Sequence, residues 1–89
     1  MGLHPTHGVM GSNLGEVEVT RSFIQASEKL IVLADHTKFD RIGTVILCQV
    51  GEIDMIISDH EVAPQWVSDF RHLRIEVVIA EPHDQLDSM

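Results

Sequence analysis

The sequence predicts an α/β fold, a partial and open, mostly parallel sheet with helices against it. Three observations predict it. Short apolar runs rich in β-branched residues recur at Leu30–Ala34, Thr44–Cys48, Ile53–Ser58 and Ile75–Ala80, and such brevity favours strands over helices. Helix-patterned stretches stand before the first run and between the last two. The unit from Ile53 to Ala80, strand then helix then strand, has the length of a right-handed parallel crossover.

Residues 1–12 are rich in Gly, His and Pro and carry no periodicity, which reads as a loop or as a segment continuing a missing N-terminal part. Asn13, with Glu16 three residues on, resembles a helix start. That helix is expected to run to about Glu28. Its apolar residues fall in two stripes, Leu14/Val17/Ile24 and Val19/Phe23/Ala26, where one sheet would need only one. The second stripe implies a partner or further sequence. Leu30–Ala34 is expected to be a strand buried on both faces. Asp35–Gly43 is a polar loop. The link Gln49–Glu52 is too short for a crossover, so Thr44–Cys48 either pairs antiparallel with its neighbour or leaves the main sheet. Pro64 marks the first turn of a second helix, which turns Trp66, Phe70 and Leu73 inward and carries Arg71, His72 and Arg74 near its end. Residues 82–89 form a polar tail.

Composition narrows the function. The chain of 89 residues is enough for one small domain, and its 44% apolar content is enough for a core. A net charge of −8 disfavours a polyanion partner, because nucleic-acid affinity comes mainly from Lys and Arg. Cys48 is the single cysteine and sits in an apolar run, which reads as a buried structural thiol in a reducing compartment. With no signal peptide and no apolar run long enough for a membrane span, the cytoplasm is the expected location.

Ligands of open α/β sheets bind beyond the carboxyl ends of the strands. Three runs end in or before an acid: Asp35, Asp59 and Glu81. Carboxylates there can accept hydrogen bonds from sugar hydroxyls. Lys38 and Arg41, in the loop after the first run, can meet a phosphate. Asp59 has an alternative role as a cap for the helix that follows. Phosphate-cradling glycine motifs and nucleophile elbows are absent, and no acid–base pair stands out, so neither catalytic residues nor a cofactor is expected. His4 and His7 have H-x-x-H spacing without supporting ligands, so no metal is expected. His60 and His72 read as solvated, and His36 as a loop histidine beside Asp35.

The stretch Leu33-Ala34-Asp35-His36-Thr37-Lys38-Phe39 resembles the L-A-D-[HS]-[ST]-K-[FL]-G pattern of DeoR-type repressors of sugar metabolism. Gly2-Leu3 through Gly8-Val9-Met10 is similar to the family's G-[IVL]-x-x-x-x-G-[IVL]-T. Glu16–Arg21 is similar to its E-x-x-V-K, Ile53–Asp59 to its I-D-x-[IVL]-I-[TS]-D, and Ile75–Ala80 to its last strand. The resemblance covers residues 2–80 in the family's order. It implies a sensor fold like that of ribose 5-phosphate isomerase and the acyl-CoA transferases, binding phosphorylated sugars or related metabolites. It carries over Asp35, Thr37 and Lys38 as ligand-site residues, with Glu16 and Glu18 beside them. The family's winged helix-turn-helix and its Gly-Thr-Thr-like phosphate loop lie in an N-terminal part not seen here. Met10, Thr20 and Asp40 replace the family's usual Thr, Lys and Gly.

Residues 13–81 are therefore expected to be the C-terminal part of an effector-binding domain, in a regulator that is a homo-oligomer and meets DNA only through its missing N-terminal domain. A sugar-phosphate isomerase-like enzyme fragment and a small protein-interaction module are the rival readings. The acidic balance gives a first expectation: the isolated chain gives no specific shift of DNA in a gel titration at moderate salt. Submicromolar, sequence-dependent retardation would contradict it.

Overall fold

The computed structural model describes residues 1–41, 43 and 45–81, without the side chains of Leu14 and Glu16. The expected tail at 82–89 and the first residue of the expected run at Thr44 lie outside the described residues. In chain order the elements are β1 (Gly2–His4), β2 (Gly8–Gly11), α1 (Leu14–Ala26), β3 (Ile31–Leu33), β4 (Val45–Cys48), β5 (Met55–Asp59), α2 (Pro64–His72) and β6 (Glu76–Ala80). They form an α/β arrangement with two three-stranded sheets, β1-β2-β4 and β3-β5-β6.

The second sheet is parallel throughout, with Val32 opposite Ile56 and Ile56 opposite Val77. The β5–α2–β6 unit is the strand–helix–strand unit expected from spacing. The open question about β4 resolves toward departure: it leaves the parallel sheet and pairs antiparallel with β2.

The expectation of a loop over residues 1–12 is corrected by a hairpin, in which Leu3 pairs with Val9. Periodicity could not reveal strands this short. Gly8 turns the hairpin at φ +79°, and a Cβ there would lie 2.2 Å from the Cys48 carbonyl oxygen. At Gly2 a Cβ would lie 2.0 Å from the Arg41 carbonyl oxygen. Both positions require close backbone approach, which only glycine permits.

Asn13 caps α1, its side chain accepting from the Gly15 N–H at 2.7 Å. The helix ends at Ala26, two residues before the expected Glu28. Val17 and Ile24 pack against the core, whereas Val19 and Phe23 are 59% and 70% exposed. Arg21 reaches from α1 to Glu52 at 2.5 Å, tying the helix to the turn before β5. Helix α2 starts at Pro64 and buries Phe70 completely. It stops at His72, because Arg74 turns into the left-handed region at φ 65°. Leu73 therefore caps the helix and is exposed, not turned inward as expected.

One core joins both sheets: Leu3, Val9 and Leu47 from the antiparallel side meet Val32, Ile56 and Val77 from the parallel side. Cys48 lies in it, and burial pushes its thiol upward, as suits an inert structural position.

The expectation that β3 is buried on both faces is corrected. Val32 is buried, but Ile31 and Leu33 are 48% and 70% exposed. By register they share their face with Met55, Ile57, Val78 and the exposed Glu76, so the parallel sheet keeps one largely apolar face open. A continuous apolar run establishes that both faces are apolar, not that both are covered. Parallel sheets are ordinarily covered on both sides. The chain is accordingly expected to self-associate at micromolar concentration in light scattering, and Leu33→Lys is expected to shift it toward monomer. A parent chain that stays monomeric would show that the open face is tolerated as it stands.

Candidate functional site

Strands β3 and β5 run parallel with Leu33 opposite Ile57, and the Ala34 N–H donates to the Ile57 carbonyl at 3.0 Å. Their carboxyl ends therefore deliver Asp35 and Asp59 to the same end of the sheet, where open α/β sheets place ligands.

A 3-10 turn, His36–Lys38, follows β3. Asp35 caps it. Its Oδ1 accepts from the Thr37 N–H at 2.8 Å and from the Thr37 hydroxyl. The hydroxyl bond foremost, then the backbone bond, holds the Asp35 carboxyl below its ordinary value, with help from the charges of Lys38 and His36 and against some desolvation. The Lys38 N–H donates to the Asp35 carbonyl at 3.0 Å, and its side chain is half-buried. Asp35, Thr37 and Lys38 thus occupy a single turn. Phe39 ends the turn and is buried, edge-on to Phe70 at 5.9 Å between ring centroids.

Asp59 does not cap α2; the cap position is Ala63, which makes no side-chain bond. Its carboxylate instead takes His36 twice, accepting from the backbone N–H at 2.8 Å and facing ring Nδ1 at 2.6 Å. The other ring nitrogen, Nε2, lies 3.3 Å from Glu61 Oε2. Partial desolvation pulls the Asp59 carboxyl upward, but the bonds and charge of His36 overcome it and leave it below the ordinary range. The bond to Asp59 foremost raises His36 above its ordinary 6.5, with the charges of Asp59, Glu61 and Asp35 adding and desolvation opposing. The site as built offers hydroxyl-accepting carboxylates and one ammonium, around a turn fastened to the neighbouring loop.

The other expected residues lie elsewhere. Glu18 is exposed on α1, a helix that packs on β4. Arg41 is exposed and lines a separate cavity of about 360 Å³ with Met1, Met10 and Ser12. The Glu16 side chain lies outside the described residues. Glu81 is exposed just past β6. His4 is engaged locally, accepting from the Thr6 N–H at 3.0 Å and packing edge-on to Trp66. His60 and His72, read as solvated, line a groove of about 610 Å³ beside α2 together with Val62, Val67 and Arg71. Sequence reasoning missed the joint action of His36 with Asp59 and Glu61. No local signal pairs His36 with an acid 23 positions away.

Residues 1–60 match the family model described as the DeoR C-terminal sensor domain. The chain belongs to that family. It is also similar to proteins named as regulators. One is the HTH-type transcriptional regulator GolR of Listeria innocua, 31% identical over 74 residues, which are 83% of this chain and 29% of that protein. Another is the putative aga operon transcriptional repressor of Escherichia coli O157:H7, 29% identical over 72 residues, which are 81% of this chain and 27% of that protein. The chain thus spans less than a third of the length of these curated relatives.

The glycine usual in the DeoR-type pattern after Phe39 has a structural reason here. Asp40 occupies that position at φ 61°, in the left-handed region that glycine enters freely. Asp tolerates it better than most residues, yet at some cost. Its contact with His4, at 3.7 Å, is a long pair whose Asp40 side is exposed, and it is worth little. Asp40→Gly is expected to stabilise the chain by up to about 1 kcal/mol, the relief of strain less the extra chain entropy of glycine. A thermal melt checks the sign: a lower midpoint in the variant would contradict the reading.

Proposed function

We propose that this chain is the effector-sensing part of a DeoR-type transcription regulator, and that the carboxyl ends of β3 and β5 receive a phosphorylated sugar or related metabolite. The observation that carries the proposal is the single turn holding Asp35, Thr37 and Lys38 beside Asp59. Lys38 supplies a full charge and three donors for a phosphate or sugar oxygen. Asp35 and Asp59, both held ionised, accept from hydroxyls. Glu16, Glu18 and Arg41 enter the proposal on the family resemblance and loop position alone.

In the whole regulator, a winged helix-turn-helix preceding the sensor would carry the DNA contacts, and the protein would act as a cytoplasmic homo-oligomer. Effector would change operator affinity only through unequal affinity for two states of the regulator. The names of the relatives, a transcriptional regulator and a repressor, support a sensor over an enzyme. The fold resemblance to ribose 5-phosphate isomerase and the acyl-CoA transferases belongs to this proposal, and a shared fold does not carry activity.

The test uses the whole regulator. Lys38→Ala is expected to change folding stability by no more than about 0.5 kcal/mol. It is expected to weaken the effector response about tenfold or more, as loss of a charged hydrogen bond of about 1.5–3 kcal/mol implies. Operator-release titrations with sugar phosphates read the response. An undiminished response in the variant would remove Lys38 from the site.

A further inference from the structure

The contacts of His36 favour its charged form. Ring Nδ1 faces Asp59 Oδ2 at 2.6 Å, and ring Nε2 faces Glu61 Oε2 at 3.3 Å. Ionised carboxylates only accept hydrogen bonds, and a neutral imidazole carries one N–H. The imidazolium donates to Asp59 and stands at ion-pair distance from Glu61, so both acids attract it. A neutral ring would turn a lone pair toward one of the carboxylates.

The same residue fastens two loops. Its backbone N–H donates to Asp59 Oδ1 at 2.8 Å, so main chain and ring together grip one carboxylate. Asp59 ends β5, and His36 opens the turn that presents Lys38. The turn's far end is already fixed by buried Phe39. Its near end depends on His36.

We infer that His36 is a proton-operated latch on the candidate effector site: as an imidazolium it binds the turn carrying Lys38 to the loop Asp59–Glu61, and as a neutral ring it lets that turn loosen. The regulatory half of this inference rests on the proposed effector site; the latch itself does not. His36 is a positioning residue, since it acts through Lys38 and Asp35.

The charged groups facing the ring are Asp35 just before its turn, Asp59 at the end of β5 and Glu61 just after it. Lys38 interacts with Asp35 in the same turn. His60, between the two acids, lines the groove on the α2 side. The balance is acidic, which favours the charged ring. The three side chains are 38%, 34% and 59% exposed, so solvent screens the attraction and the latch is weak enough to open. A group raised in the folded state contributes fully below its ordinary value and loses that contribution as pH rises through the raised value. The latch therefore holds fully below pH 6.5, the ordinary value for histidine, and opens as pH climbs through the raised value above it. Donor atoms of His36, Asp59 and Glu61 lie within 4.8 Å of one another, but the two ring nitrogens face different carboxylates, whereas a cation needs its donors to converge on one point.

Nuclear magnetic resonance of the 89-residue chain tests this. Ring titration is expected to place His36 above the ordinary histidine value. Amide exchange at Thr37 and Lys38, corrected for intrinsic rates, is expected to lose several-fold protection as pH passes the His36 midpoint. His36→Gln is expected to flatten that profile. Glu61→Gln, at an exposed position with little bearing on folding, is expected to lower the midpoint. Equal protection profiles in parent and His36→Gln would overturn the latch. So would stoichiometric zinc that abolishes the His36 titration, since the cluster would then be a cation site.

Inorganic phosphate then probes the regulatory half. Inorganic phosphate itself gains charge in the same pH range, so the readout is the ratio of parent affinity to His36→Gln affinity. That ratio is expected to fall several-fold through the His36 midpoint. A constant ratio alongside a working latch would overturn the regulatory half. No phosphate binding at any pH, in either chain, would remove the site and with it the regulatory half, while amide exchange still decides the latch.

Discussion

Phe39 sits where the two sheets meet. Its ring packs against Phe70 and, at 6.4 Å, against Trp66, while its backbone bridges to Leu3 and the next N–H, of Asp40, donates to the Leu3 carbonyl at 2.9 Å. The hairpin, helix α2 and the turn after β3 thus share one buried residue. Removing a buried aromatic side chain costs about 3–5 kcal/mol, comparable with the whole stability of a small domain. The architecture depends on this junction because neither three-stranded sheet has a core of its own; Leu3 and Val9 are buried only in common with Val32, Ile56 and Val77.

The junction also sets the character of the candidate site. Lys38 immediately precedes an apolar anchor that cannot move without opening the core, and follows a polar tie that can exchange with water. One end of the turn is therefore rigid and the other adjustable. Such an arrangement suits a sensor, which needs a scaffold stiff enough to aim its groups and one element able to differ between states.

Much of this was legible in the residues. The apolar runs and Pro64 located β3, β5, α2 and β6, and the acids at the strand ends located Asp35 and Asp59. The pattern around Lys38 identified the family. What escaped was long-range or too short for periodicity. Strand β1 has three residues, and β2 finds β4 across nearly forty positions. The grip of His36 on Asp59 and Glu61 arises only after β3 and β5 align in parallel. The exposed faces of Ile31 and Leu33 were legible as apolar, but coverage is a property of neighbours, not of the run itself. Asp40 was visible as a departure from a glycine pattern, while its left-handed backbone was not.

Trp66 is the chain's single indole, and it stands at this same junction, 6.4 Å from Phe39 and 6.0 Å from the His4 ring. An indole's emission colour follows its hydration, and a neighbouring charged imidazole dims it. The molecule consequently carries its own optical gauge, built into the contact between the hairpin, helix α2 and the turn after β3. Separation of the two sheets, which would move Phe39, is written into the fluorescence of one residue and needs no added label.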